Sequence, residues 1–518
     1  MLVRSIIQTD SLPEALEWLL DCKDPLPCFW DLDGDVSLVL KLLPETNLKE
    51  LAETNKTSLI VAGLKYNLLY IRTKLFMVAK GYGYLYVNPQ LNSKVIYYGL
   101  AQFAQWDYRK DTLPSLAEQQ AFGEQLLSEL ARVKIYPKRL TSVAAISDYI
   151  YEKINLPSYK DYPDEVNQLA WEITGRAYTE CHKIGYWKEA VDYDIKSSYP
   201  SKMSALVDTR YGRWYSTKDY QVSAYYGIIR TVVKHDLKVC PYSVVAKNGE
   251  VYFPSGEYET VFTKELGDVM RKHYPAQNGF IKEIKEAWWW RPNHAVVKPL
   301  DIAIRTLFNN RSLSPFLNRI MKMAMVSSYG RLLQLKKENG KTILADTFNP
   351  FWACQIEDSI KAQVADFLYS NTCGGEPSIE HLIHISTDGV TLDSPVDKEI
   401  IDTKIGGWKQ DSTGECLVLS TGNMFYGKRK PKQLSITETL EMIKTHPYSR
   451  RWYKTVRRRM TLGDTMVSRC VLGEIKDVET GVELSLEHDR HFPELPSSGK
   501  QLLKRVYNSQ PIKIKYLH

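Results

Sequence analysis

No Cys-x-x-Cys pair occurs in this sequence. The eight cysteines, Cys22, Cys28, Cys181, Cys240, Cys354, Cys373, Cys416 and Cys470, are scattered singly. That argues against a zinc ribbon and against a disulfide framework, and it fits a reducing intracellular setting. Long hydrophobic runs are missing as well. None approaches the ~20 residues of a membrane span, and the stretch from Met1 to Ser11 turns polar too soon for a signal peptide. A cytoplasmic location with no membrane partner is the expectation. Internal repeats and low-complexity tracts are also absent. Charge of one sign is in short supply: a formal net charge of +7 permits a polyanionic partner without demanding one. What the chain does have is length, 518 residues, which is room for several domains. It also has 33 tyrosines and 12 tryptophans, more rings than a core strictly needs, and bases stack on such rings.

The densest chemistry lies in Asp194-Ile195-Lys196-Ser197-Ser198-Tyr199-Pro200-Ser201. It follows Val191-Asp192-Tyr193, so the chain enters as a strand with Val191, Tyr193 and Ile195 on one face and Asp192 and Asp194 on the other. The strand should end near Ser197, because Pro200 cannot continue a ladder and biases Tyr199 toward an extended conformation. A carboxylate at a strand end, followed by a turn that presents an aromatic ring, suits a metal site beside a shaped pocket. A solvated Asp before a loop is the plainer alternative.

Two later stretches have the same character. Ser314-Pro315 reads as an N-cap with proline at the first helical position. The helix it opens carries Lys322, Val326 and Tyr329 at i, i+4 and i+7, on one stripe, and then Gly330. Further on, His381 to Leu392 reads as strand, Asp388-Gly389 turn, strand. Taken in order, the three stretches resemble motifs A, B and C of family B DNA polymerases: Asp-x-x-Ser-Leu-Tyr-Pro-Ser, Lys-x-x-x-Asn-Ser-x-Tyr-Gly and Asp-Thr-Asp. Ser198 stands for the Leu of the first, Val326 for the Asn of the second and Ser386 for the first Asp of the third. Gly406-Gly407-Trp408-Lys409 is similar to the Gly-x-Trp-Lys that often follows motif C, and Tyr426 to the Tyr of a Lys-x-Tyr motif whose Lys is missing. Gly175-Arg176 resembles the Tyr-x-Gly-Gly loop along the template strand.

The resemblance implies a multidomain α/β and α+β protein, a right-hand polymerase of the small bacteriophage or plasmid sort preceded by a ribonuclease H-like exonuclease domain. Its implied boundaries are 1–140 for the exonuclease-like domain and 141–190 for a connection. They continue with 191–296 and 331–427 for the palm, 297–330 for the fingers and 428–518 for the thumb. By the same resemblance Asp194 and Asp388 hold two Mg²⁺ ions, with Mn²⁺ able to substitute, and Lys322 stabilises the leaving pyrophosphate. Ile195, Ser197, Ser198, Tyr199, Arg311 and Tyr329 line the nucleotide pocket, with Tyr199 under the deoxyribose. Gly175, Arg176, Gly330, Tyr426, Arg457 and Arg458 contact DNA. The implied partners are a DNA primer-template and deoxynucleoside triphosphates, with room for a priming protein or a processivity factor, in the cytoplasm of a host cell if the source is viral. A polymerase fold kept only as a nucleic-acid-binding scaffold, and a nuclease acting from the N-terminal domain, are the alternatives.

For the exonuclease the resemblance is incomplete. Asp31 and Asp33 stand where the family has Asp-x-Glu, Asn67 where it has a ligand Asp, and the helix expected from Leu116 to Val133 contains no Asp at all. A two-metal nuclease needs those carboxylates, so the domain is expected to fold but not to cut, with Trp30, Leu38, Leu40, Ile60 and Leu64 in its core. Val36 to Leu40 reads as part of a hairpin or buried strand pair, and Met77 to Tyr86 as a strand. Trp288-Trp289-Trp290 reads as packing, with stacking on nucleic acid the alternative. From Lys428 onward the chain is basic and expected to be mostly helical, which suits phosphate contacts along a duplex.

Overall fold

The computed structural model describes residues 2–4, 9–20, 27–29, 38–71, 74–81, 83–87, 98–104, 114–136, 143–245, 251–338, 341–400, 404–421, 423–426, 435–445, 451–459, 475–483, 505–507 and 512–515. The chain divides into two compact units. One comprises 1–153, 309–327 and 453–481; the other comprises 154–308, 328–452 and 482–518. No helix among the described residues is long and apolar enough to cross a membrane.

In the first unit a four-stranded antiparallel meander runs through Lys56–Val61, Leu64–Ile71, Lys74–Gly81 and Gly83–Val87. Its core gathers Leu16, Val39, Leu40, Leu51, Leu59, Tyr66 and Leu68. Three expectations shift here. Residues 38–42 are helical rather than a strand, because a short apolar run carries no period that separates the two. The strand expected from Met77 to Tyr86 is two strands, broken between Gly81 and Gly83. Ile60 is 73% exposed: the strand buries Thr57 and Leu59, and with a period of two its neighbours must face out. Trp30 lies outside the described residues. The helix Leu116–Arg132 opens on a capping box from Ser115 and Glu118 and buries Leu126 and Leu130, as its spacing predicts.

The second unit is built on two sheets. One has five antiparallel strands: Gly212–Ser216, Ile281–Pro292, Tyr226–His235, Ser255–Thr263 and Arg505–Tyr507. Trp289 and Trp290 are fully buried in it, so the tryptophan run packs rather than stacks on a ligand. The other sheet carries the candidate site. Its strands are β1 (Thr179–Cys181), β2 (Lys183–Ile195), β3 (Leu382–Ser386), β4 (Gly389–Leu392), β5 (Trp408–Ser420) and β6 (Asn423–Tyr426), in the spatial order β6-β5-β2-β4-β3-β1. Ile512–Lys515 adds a parallel strand to β2. Helix α1 (Ser198–Ala205) follows β2, α2 (Pro315–Arg331) runs from the first unit into the second, and α3 (Pro350–Ser370) is buried along almost its whole length.

Two local expectations fail for identifiable reasons. Tyr199 is helical, because Pro200 falls in the first turn of α1, where a missing N–H costs nothing. Among the described residues the basic C-terminal stretch is not mostly helical. After Ile436–Thr445 it forms two paired strands, Arg451–Arg459 and Ile475–Glu483. Trp452, Tyr453, Thr455 and Val456, all of types enriched in strands, favour strand over helix in Arg451–Arg459.

Candidate active site

Asp194 lies one residue from the end of β2, and the face it shares with Asp192 is set by burial. Val191, Tyr193 and Ile195 are buried, at 4%, 1% and 1% exposure, and the two aspartates are forced to the opposite face. On the neighbouring strand pair the turn is tighter than expected. Ser386 pairs with Gly389, so Thr387 and Asp388 alone make the turn and Gly389 already belongs to β4. Thr387 has φ of 55°, and the Asp388 N–H donates to the Ser386 carbonyl at 2.6 Å, which is the pattern of a γ turn. A β-branched residue at positive φ is strained. The Thr387 N–H, donating to the Tyr178 carbonyl at 2.7 Å, holds it there.

This turn brings Asp388 to Asp194. Gly389 sits opposite Asp194 in the β2–β4 ladder, and the Ile195 N–H donates to the Asp388 carbonyl at 3.0 Å. A Cβ on Gly389 would lie 3.1 Å from the Tyr193 carbonyl and 3.7 Å from the Asp194 carboxylate, so a side chain there would press the two strands apart. Burial first, and the Asp194 charge second, push the Asp388 carboxyl up to about 6, against the pull of Lys409. Two acceptor-only groups facing each other in partial burial ask for a cation. Lys409, opposite Asp194 on β5, supplies one: its Nζ lies 3.0 Å from Asp194 Oδ2 and also contacts Asp411.

Asp192, one pleat behind, is likewise pushed up to about 6, by burial first. It accepts from the Thr391 hydroxyl at 3.0 Å and from the Tyr426 hydroxyl at 3.4 Å. Asp192, Asp411 and the lysine were not singled out as functional from sequence. The Asp-Tyr-Asp alternation, which puts both carboxylates on one face of β2, was the available signal.

Asp388→Asn is expected to stabilise the metal-free protein while removing a proposed ligand. A carboxyl raised in the fold contributes stability below its unfolded value, near 4, and loses it as pH rises through about 6. In melts with a chelator, the variant should gain on the order of 1–2 kcal/mol over wild type at pH 7.5, after discount for partial exposure, and little at pH 4. Equal shifts at both pH values would remove Asp388 from this like-charge pair.

The other expected site residues fall as follows. Ile195 is buried beneath the turn, Ser197 is left-handed at φ 52°, and Ser198 is buried at the start of α1. The Tyr199 ring lies 4.7 Å from that of Tyr329, tilted by 59°, and the Tyr329 hydroxyl donates to Glu357. Gly330 is exposed, and Tyr426 closes the Asp192–Thr391 network. Gly175 takes a φ of 81°, which suits glycine, and its N–H donates to Glu357 at 3.0 Å. The Arg176 side chain is buried, with its guanidinium at the Ser243 carbonyl. Gly175, beside it, is exposed.

Lys322 and Arg311 lie in the first unit. Lys322 is exposed on α2, two turns before Tyr329, and the Arg311 Nε donates to Asn318 at 2.8 Å. Val326, at the motif B position of Asn, is 60% exposed on the same stripe. Arg457 and Arg458 lie on the strand Arg451–Arg459. Asn67 is paired within the meander, where it accepts from the Ser58 hydroxyl at 2.7 Å. Asp31 and Asp33 are outside the described residues.

The chain matches phi29 DNA polymerase complexed with primer-template DNA and incoming nucleotide at a TM-score of 0.53, covering 92% of this chain and 93% of that one, at 12% identity. The phi29 binary complex with primer-template DNA gives 0.52 over the same shares, at 13% identity. The fold is that of a family B-type DNA polymerase. A curated relative, the DNA polymerase of Acidianus bottle-shaped virus (isolate Italy/Pozzuoli), is 24% identical over 268 residues, 50% of this chain. The match spans 38% of that relative's length. No family model matches. The α/β and α+β polymerase architecture implied by the three ordered motifs is therefore the one observed, at 12–13% identity to these structures.

Proposed function

We propose that the protein is a DNA-directed DNA polymerase that adds deoxynucleotides to the 3′-hydroxyl of a primer on a DNA template. The observation that carries this reading is the meeting of Asp194, near the end of β2, with Asp388, in the turn that leads into the adjacent strand β4 of a polymerase fold. Carboxylate oxygens are hard ligands that suit Mg²⁺, which keeps part of its shell for water and substrate phosphates. The donor set fits such an ion: two carboxylates in partial burial, with a single lysine to balance them. Asp194 and Asp388 are the residues that would hold it. When bound, divalent metal supplies charge neutralisation at the phosphates and a more acidic 3′-hydroxyl.

The chain's own residues have the remaining tasks. Asp194 and Asp388 fix where the phosphates sit. The Tyr199 and Tyr329 rings form the apolar floor of the nucleotide pocket. Lys322, by its place in motif B, meets the triphosphate as a point charge, and Arg311 assists it. Primer extension with and without primer, on DNA and on RNA templates, tests the reading and fixes the priming mode. No incorporation on any primed template would end it.

Proofreading is not part of this proposal. Asn67 offers an amide where a carboxylate is needed and spends its oxygen on Ser58, and Leu116–Arg132 contains no Asp. A 3′-labelled single strand incubated with Mg²⁺ or Mn²⁺ should stay intact, and a mismatched primer end should be extended without removal. Release of label by wild type, lost in Asp31→Ala, would show an active nuclease built from other carboxylates.

A further inference from the structure

Glu357, on α3, is 5% exposed and is engaged by three donors from two distant parts of the second unit. Its Oε1 accepts from the Gly175 N–H at 3.0 Å and from the Tyr329 hydroxyl, and its Oε2 accepts from the Arg176 N–H at 3.2 Å. No lysine, arginine or histidine among the described residues forms an ion pair with it; Lys361, the cation one turn on, is bound to Asp358 at 2.8 Å. A buried carboxylate satisfied only by neutral donors is an expensive choice if packing is all that is required, since an apolar residue of similar volume would fill the space at lower cost. A glutamine would not replace it either: it offers one acceptor oxygen and brings two donors that would face other donors. What the site demands is two acceptor oxygens and no hydrogen.

The two groups tied to this carboxylate belong to opposite ends of the expected chemistry. Gly175 and Arg176 form the turn at the end of the helix Asp164–Ile173, with Gly175 at a φ of 81°. The Arg176 N–H is shared between Glu357 and the Ile173 carbonyl at 3.3 Å, so Glu357 ties the two N–H groups just past the end of that helix to α3. Tyr329, at the end of α2, packs its ring 4.7 Å from Tyr199, in the turn that follows Asp194. One carboxylate therefore connects the 174–176 turn to the aromatic pair beside the paired aspartates.

We propose that Glu357 is a positioning residue that registers the 174–176 turn against Tyr329, so that the surface along the turn and the pocket floor at Tyr199 and Tyr329 move as one. The identification of these surfaces as template path and nucleotide pocket rests on the polymerase reading; the mechanical link does not. If the link holds, loosening the turn loosens the ring pair, and nucleotide affinity falls more than the rate of the bound complex.

Glu357→Gln and Tyr329→Phe test this together. In Glu357→Gln, amide exchange of a peptide covering 171–178, read by mass spectrometry on the free protein, should accelerate about tenfold or more. In single-nucleotide extension, KM for the incoming nucleotide should rise about tenfold, a larger factor than the fall in kcat. Tyr329→Phe breaks the same contact from the other side and should raise KM similarly, and the double variant should be no worse than the worse single. KM effects that multiply in the double variant would overturn the link, as would unchanged exchange at 171–178 or a lower melting temperature with unchanged KM. Because the exchange measurement needs no catalysis, a wild-type protein without extension activity, but with exchange that accelerates in Glu357→Gln, would refute the polymerase reading and leave the link standing. Loss of the exchange effect in an active polymerase would do the reverse.

Discussion

Asp194→Ala and Asp388→Ala are each expected to lower single-nucleotide incorporation on a primed template by on the order of 10³-fold or more, while primer-template affinity changes less than about tenfold. The two substitutions are not equivalent. Asp194 holds Lys409 at 3.0 Å, so its loss leaves the lysine on Asp411 and removes one negative charge that would attract a divalent ion. Asp388 lies at the strained turn after β3, and its loss removes the like charge that faces Asp194. Its backbone bonds to Ser386 and Ile195 remain in place, so the turn should persist. The measurement is pre-steady-state incorporation with Mg²⁺ alongside gel-shift binding. Extension within tenfold of wild type in either variant would sink the assignment of the pair. Loss of DNA binding to the same degree as loss of incorporation would reassign them to structure.

How much of this was legible in the sequence depends on how local the cause was. The face shared by Asp192 and Asp194 could be read from alternation, because burial of Val191, Tyr193 and Ile195 is a period-two property. The capping of Leu116–Arg132 and the start of α2 at Pro315 could be read from single residues. The meeting of Asp194 and Asp388 could not be derived from spacing; it came only through the ordered motifs, because nearly two hundred residues of other structure separate the strands. Glu357 was invisible for the same reason. Its three donors lie 182, 181 and 28 residues away along the chain, and nothing near it in sequence marks it as more than a helix charge. Tyr199 and the 451–459 segment were misread where local preference gave way: a proline fell in a helix's first turn, and an aromatic-rich basic stretch found a strand partner. Arg176, read as a DNA contact from its place in a loop motif, is buried, because the N–H groups of its turn bind Glu357 of α3 and its guanidinium reaches the Ser243 carbonyl.

The second large effect concerns the sugar. Tyr199→Ala should raise the use of ribonucleotides relative to deoxyribonucleotides by about 10- to 100-fold, the range that a steric or apolar contact in a pocket can supply. Tyr199 is half-buried, and its ring rests on that of Tyr329 at 4.7 Å, so it cannot swing aside to admit a 2′-hydroxyl without giving up an aromatic contact worth roughly 0.5–1.5 kcal/mol. Its phenol is pushed well above the ordinary tyrosine range, by burial first and then by the charges of Glu357 and Asp388. The ring therefore stays neutral at any working pH, and discrimination comes from its bulk. Tyr199→Phe, which keeps the ring and drops the hydroxyl, should accordingly retain most of the selectivity. Tyr329→Phe supplies the contrast: it frees Glu357 and raises KM, but leaves the ring that faces the sugar in place, and the ratio of the two nucleotide types should stay within about threefold of wild type. Competition between matched deoxy- and ribonucleotides on one primed template reads all three variants. An unchanged ratio in Tyr199→Ala would take Tyr199 out of the pocket, and a ratio that rises equally in Tyr199→Phe would assign the selection to its hydroxyl instead.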